Sequence, residues 1–260
     1  MRRRTAIGAV LLLALTAAGC ASGPAADRAT GGTQRGPAGT VTVFAAASLQ
    51  QTFTTLGRDF ERAHPGTTVR FSFGGSSDLV AQVREGAPAD VLASADQAST
   101  DALGADLLAG RPRVFATNTL EIAVAPGNPL HVSDLADLTA SDVQLVTCAV
   151  PVPCGAATAA VERATGVDLH PVSEEQSVTD VLGKVTSGQA DAGIVYRTDV
   201  QGAGDDVVGV PFAAAADAVN TYPISVLRDA ADPATARAFM ASVLSPAGQR
   251  VLAAAGFGTP

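Results

Sequence analysis

Histidine, tyrosine and basic side chains are scarce in this chain, and each shortage closes off a class of function. The three histidines are His64 before Pro65, His131 after a turn and His170 before Pro171. None stands in a pattern that joins a nucleophile, a base and an orienting acid. Gly-x-Ser-x-Gly, Gly-x-x-x-x-Gly-Lys-Ser/Thr and His-Glu-x-x-His are absent, and Gly202-x-Gly204 lacks a third glycine. No enzyme is expected, an extracytoplasmic hydrolase being the rival kept in view. With only Tyr196 and Tyr222 the chain is poorly supplied for a ferric site, and Cys148-x₅-Cys154 is not a zinc spacing. A bare metal ion and a cofactor are therefore not expected. The 17 basic residues face 25 acidic ones, a formal charge of −8. Three of the basic residues are Arg2, Arg3 and Arg4, and without them the charge is −11. Nucleic acid is excluded as a partner on this balance. Any anion must be held by local dipoles, because the overall field repels it.

What the chain has is apolar material: 47% of its residues are hydrophobic, enough for one large core or two smaller ones. Residues 1–20 read as a lipoprotein signal. Three arginines precede an apolar run, Ala6 to Ala18, and the small residues Ala17-Ala18-Gly19 lead to Cys20. Ala17 stands where such signals usually carry leucine. Cys20 would carry the lipid and hold the protein at the outer face of the cell membrane. Residues 21–39, rich in Gly, Ala, Ser, Pro and Thr, read as a flexible tether. In an oxidising compartment Cys148 and Cys154 are expected to pair across a short loop, two unpaired buried thiols being the alternative.

From residue 40 onward strands alternate with helices, which indicates an α/β fold with mainly parallel sheets. The strand Val41 to Ala47 leads to Ser48, and the spacing Leu49, Phe53, Leu56, Phe60 predicts a helix to about His64 with Ser48 as its N-cap. The strand Thr68 to Phe73 runs through Gly74-Gly75-Ser76-Ser77 into a second helix. Val143 to Thr147 meets the Cys148–Cys154 loop and a third helix, and Ser177-Val178 opens a fourth. Further strands are read at Asp90–Asp96, Leu120–Ala125, Ala192–Tyr196 and Tyr222–Leu227, with helices at Pro233–Leu244 and Pro246–Ala255.

Four helix starts, at Ser48, Ser76, Cys154 and Val178, thus follow small or polar turns on the carboxyl side of strands or strand-like loops, where open α/β sheets bind ligands. Each start offers free N–H groups and about half a positive charge. Four together would suit a dianion. On periodicity alone Ser48 and Ser76 can equally be plain caps, and Tyr196 can be core packing.

Several stretches in order carry a resemblance: Val41-Thr42-Val43-Phe44-Ala45-Ala46-Ala47-Ser48-Leu49, Phe73-Gly74-Gly75-Ser76-Ser77, Gly86-Ala87-Pro88-Ala89-Asp90-Val91-Leu92-Ala93-Ser94-Ala95-Asp96, Gly193-Ile194-Val195-Tyr196 and Gly256-Phe257. Together they closely resemble the periplasmic molybdate-binding proteins of ABC importers. The resemblance implies a two-lobed fold of the type II periplasmic-binding kind, each lobe a mostly parallel sheet flanked by helices. Lobe one would be residues 40–119 plus 226–260, and lobe two residues 120–225. It implies hydroxyl donors at Ser48, Ser76 and Tyr196 and backbone donors at Cys154 and Val178. It also implies a monomer that delivers molybdate, and tungstate with it, to a membrane permease driven by a separate cytoplasmic ATPase. Gly74-Gly75, where some relatives have more serine, and Cys154, where others have alanine, depart from the pattern. Sulfate is the nearest alternative ligand.

Overall fold

The computed structural model describes residues 37–260; the leader, Cys20 and most of the tether lie outside the described residues. The chain opens with β1 (Gly39–Ala46), α1 (Gln50–Ala63), β2 (Thr67–Gly74), α2 (Ser76–Arg84), β3 (Val91–Ala93), α3 (Gln97–Leu103) and β4 (Arg113–Asn118). It continues with β5 (Leu120–Val124), β6 (Leu145–Cys148), α4 (Pro153–Thr165), β7 (Ser173–Glu175), α5 (Val178–Thr186), β8 (Ala192–Tyr196), α6 (Arg197–Ala203) and β9 (Val208–Val210). β10 (Asn220–Val226), α7 (Pro233–Leu244) and α8 (Pro246–Ala254) complete it.

These strands form two five-stranded sheets, in the orders β2-β1-β3-β10-β4 and β7-β6-β8-β5-β9. In the first, β1 pairs in parallel with β2 and β3, while β10 runs antiparallel to β3 and β4. In the second, β6 pairs in parallel with β7 and β8, while β5 runs antiparallel to β8 and β9. Each sheet is therefore parallel in direction except for one reversed strand. Those two, β5 and β10, are the first strands after the chain passes from one sheet to the other. Thr119 alone separates β4 from β5, and Asn118 lies opposite Asn220 where the second crossing enters the first sheet.

Two principal cores follow from the two sheets. The aromatic one is on the first: Phe53 and Phe60, with Leu49 and Leu56 on the same face of the turn and helix, pack against Phe239, with ring centres 6.2 and 5.5 Å apart. Edge-to-face contacts of this kind are the favoured aromatic geometry. The second core is built mainly from Val, Leu, Ile and Ala, around Ile122, Leu145, Val181 and Ile194. Two parallel crossovers of the first sheet, through α1 and α2, bring the ends of β1, β2 and β3 to one edge. The segments around α4 and α5 do the same for β6, β7 and β8.

Two expectations need correction. The partition at 225/226 assigned most of β10 to the second lobe, yet β10 is hydrogen-bonded within the first sheet, because the returning chain pairs as soon as it reaches β4. Ser48 is not an N-cap: it sits inside a single 3₁₀ turn, Ala47–Leu49, that precedes α1 and has no side-chain cap. Short elements at α3, β4, β7, α6 and β9 were not read from the sequence. Cys148 and Cys154 are bonded to each other, with Cα atoms 5.7 Å apart, as expected.

Candidate oxyanion site between the two sheets

All the candidate residues lie at carboxyl ends of strands. Ser48 follows β1, Ser76 follows β2, Cys154 follows β6, Val178 follows β7 and Tyr196 ends β8. They are drawn from three parallel strands of the second sheet and two of the first, and the two edges face each other. All five line one narrow cleft, about 10 Å³ in volume, together with Ala46, Ala47, Gly74, Gly75, Ala95, Val152 and Pro153. No lysine, arginine or carboxylate is among these lining residues.

Each donor is held differently. Ser76 is the first residue of α2, with Gly75 as N-cap, and its hydroxyl makes no capping bond. Instead the Ala95 N–H donates to Ser76 Oγ at 3.0 Å, and the side chain is 1% exposed. With the oxygen already accepting, the hydroxyl proton is left to donate into the space. Ser48 Oγ lies 3.0 Å from the Tyr222 hydroxyl. Cys154 is the second residue of α4, behind Pro153, whose ring suits a first turn where an N–H has no intrahelical acceptor anyway. Val178 is the first residue of α5. There Ser177 caps the Asp180 N–H, leaving the Val178 N–H outside the helix's own bonds. The disulfide ties the end of β6 to the start of α4, and a Cβ on Gly155 would overlap the carbonyl oxygens of Cys148 and Ala149. Loop and helix start are thus in direct backbone contact.

Tyr196 is 1% exposed, and its hydroxyl is one of three buried side-chain polar atoms without a hydrogen-bond partner among the described residues. A buried unpaired hydroxyl is costly. Here it faces the space lined by the other donors. Burial pushes its phenol well above the ordinary range, with the nearby Tyr222, Asp199 and Asp96 adding to the shift, so the group stays protonated and able to donate. Tyr222 is also raised, chiefly by burial. Asp199 is buried too, and its carboxyl is pushed up to about 7 despite the Tyr196 N–H that donates to its Oδ2 at 2.9 Å.

Sequence reasoning missed Asn118, Tyr222, Thr198 and Asp199. Nothing near them in the chain marks them, because they meet the site only through the pairing of β10 with β4 and the docking of α6. A broader groove runs beside Ser48 between α1 and α6, and Gln51, Thr55, Arg58 and Gln201 along it are exposed. No group of His, Cys, Asp and Glu among the described residues is placed to hold a metal ion. What the lining offers chemically is hydroxyls and helix-start N–H groups with no ionised side chain among them.

Comparison with known proteins places this geometry in context. Residues 41–258 match the family described as bacterial extracellular solute-binding protein. The molybdate-binding protein ModA of Mycobacterium tuberculosis (strain H37Rv) is 49% identical over 255 residues, 98% of this chain and 96% of that protein. Among solved structures, the periplasmic molybdate-binding protein of Azotobacter vinelandii superimposes with a TM-score of 0.74 at 24% identity, covering 85% of this chain and 99% of that one. The sulfate-binding protein SubI of M. tuberculosis shares the fold with a TM-score of 0.68 at 20% identity, covering 84% and 86%.

Proposed function

The chain belongs to the bacterial extracellular solute-binding protein family, and from that premise we propose that it captures molybdate outside the cytoplasm for an ABC importer. The observation that carries this reading is that Ser48, Ser76, Cys154, Val178 and Tyr196 line one cleft with no ionised side chain among its walls, which supports three hydroxyls and two helix-start N–H groups as the ligand's donors. Hydrogen bonds to a charged group contribute roughly 1.5 to 3 kcal/mol each net of desolvation, so five uncharged donors supply attraction where no cation is present. Two donors come from the first lobe and three from the second. Binding therefore favours the state in which the lobes meet, with the crossings near Thr119 and Val219 as the hinge.

Donor-only chemistry also sets the selectivity. Molybdate, tungstate and sulfate carry no proton at neutral pH, whereas phosphate usually keeps one that needs an acceptor. Tungstate, nearly the size of molybdate, binds as well; sulfate is smaller, and its rejection falls to the fit of the two lobes around the ligand. Release is to a permease driven by a separate ATPase. The run of arginines, apolar residues and small residues before Cys20 supports attachment to the membrane through a lipid, with the folded part acting as a monomer.

A thermal-shift series with molybdate, tungstate, sulfate and phosphate at matched ionic strength tests the reading. Stabilisation by the first two and none by phosphate is expected. A shift with sulfate alone would replace molybdate by sulfate as the ligand.

A further inference from the structure

We propose that Asn118 and Tyr222, one on each strand that follows or leads into a crossing, are positioning residues that turn the Ser48 proton toward the bound oxyanion. The inference rests on the oxyanion reading above and adds to it residues that do not line the binding space.

Asn118 Oδ1 accepts from the Thr119 N–H at 3.0 Å, which fixes the amide so that its Nδ2 points the other way. Nδ2 then donates to Thr198 Oγ1 at 2.8 Å and to the Tyr222 hydroxyl at 3.4 Å. An amide nitrogen has no lone pair to accept with, so Tyr222 receives from Asn118 and must place its own proton elsewhere. The Tyr196 hydroxyl is also near but makes no bond of hydrogen-bond geometry, so the acceptor left to Tyr222 is Ser48 Oγ at 3.0 Å. Were Ser48 to donate instead, the Tyr222 oxygen would hold two incoming donors and its own proton would lack an acceptor, in a side chain that is 0% exposed. The satisfied arrangement runs Asn118 to Tyr222 to Ser48, and it leaves the Ser48 proton free on the side of the binding space.

Ser76 is treated in the same way by another route. Its oxygen accepts from the Ala95 N–H, and the Ala95 carbonyl is held by Asn220 Nδ2 at 3.0 Å. Asn220 is the residue opposite Asn118 in the pairing of β10 with β4. Both serines are thus supplied with a donor from behind, by chains of bonds that begin at one asparagine pair. A serine whose oxygen accepts from within the protein keeps its proton free to donate to the ligand. That is what a fully ionised oxyanion needs and a protonated one does not.

Calorimetric titration of sodium molybdate into the wild-type chain, Tyr222→Phe, Ser48→Ala and the double variant tests the proposal. Phenylalanine keeps the ring in its packing and removes only the hydroxyl. Tyr222→Phe is expected to weaken binding roughly 3- to 10-fold, the range of one hydrogen bond. In the Ser48→Ala background the same change should have no effect beyond about 2-fold, because its route to the ligand is gone. An equal loss in both backgrounds would overturn the proposal and make Tyr222 a packing residue. If Tyr222→Phe does not fold, Asn118→Leu carries the same cycle with the same two outcomes. Wild-type protein that gives no heat with molybdate but binds sulfate overturns the molybdate reading alone, and the cycle is then run with sulfate. No heat with molybdate, tungstate or sulfate overturns both.

Discussion

Among the described residues Asp199 is the one carboxyl that burial brings to about 7, and it lies directly behind Tyr196. Its value of about 7 in the folded protein stands above the ordinary aspartate value of 3.8, so the folded state holds a proton that the unfolded chain gives up. The sign follows from linkage. Below about pH 4 both states are protonated and nothing is lost. As pH rises toward 7 the unfolded state ionises first and is favoured, so stability falls across that window and levels off above it. The shift corresponds to roughly 4 kcal/mol. Asp199→Asn keeps an oxygen for the Tyr196 N–H and cannot ionise. Its Tm relative to wild type should rise steadily between pH 4 and 7, and parallel melting curves for the two proteins would count against a buried, neutral Asp199. At this scale the sequence was partly legible. Ser48 and Ser76 could be picked out because each stands where an apolar strand gives way to a helical spacing. That their oxygens are filled by Tyr222 and Ala95 rather than by helix N–H groups is a tertiary fact, written nowhere near them in the chain.

At the scale of elements, the start of α4 shows how a short segment makes a donor. Pro153 takes the first helical position, Cys154 the second, and the bridge to Cys148 holds the loop against Gly155. Closing so short a loop contributes about 2 kcal/mol by chain-entropy arithmetic, so its larger effect is on the shape of the turn. Two double variants separate backbone from side chain. Cys148→Ala with Cys154→Ala keeps the N–H, whereas Cys148→Ala with Cys154→Pro removes it in a helical turn that tolerates proline. The proline form should bind molybdate more weakly than the alanine form by about 1 to 3 kcal/mol, read by calorimetry. Equal affinities would take the Cys154 N–H out of the site. Long periodic elements such as α1, and β8 with its run of Ala-Gly-Ile-Val-Tyr, were readable because their own residues decide them. α3, β7 and β9 were not. Gln97–Leu103 is seven residues of mostly small or polar character held by the Asp96 cap, and the two strands have three residues each, too few to show a period.

Across the whole molecule, the two lobes touch through few and specific contacts. Gln51 Nε2 donates to the Gly202 carbonyl at 3.1 Å and Gln201 Nε2 to the Ala254 carbonyl at 2.9 Å. Gly75, after β2, lies against the Gln176 carbonyl, after β7, closely enough that a Cβ would overlap it. Its backbone angles, φ −60° and ψ 136°, are open to any residue, so the contact and not the conformation requires glycine. Gly75→Ala should fold as wild type does yet hold the lobes apart. A molybdate affinity at least about 10-fold lower with an unchanged ligand-free Tm is the expected result. Scattering that shows normal compaction of this variant on adding molybdate would refute the role in closure. The two-lobed plan was legible from the alternation of strands and helices together with the resemblance. The place of β10 was not, since a strand that ends one lobe and one that begins the other look alike in sequence.

The wall of the binding space carries no ionised side chain, and this has a bearing on how cargo is surrendered. A grip built from counter-charges would persist at long range and have to be prised off. One built from short dipoles fails within a small displacement, and here more than half of it belongs to one half of the molecule. Parting the halves abandons the tetrahedron to water at once, with no proton moved and no bond broken, so discharge is as simple as opening a hand.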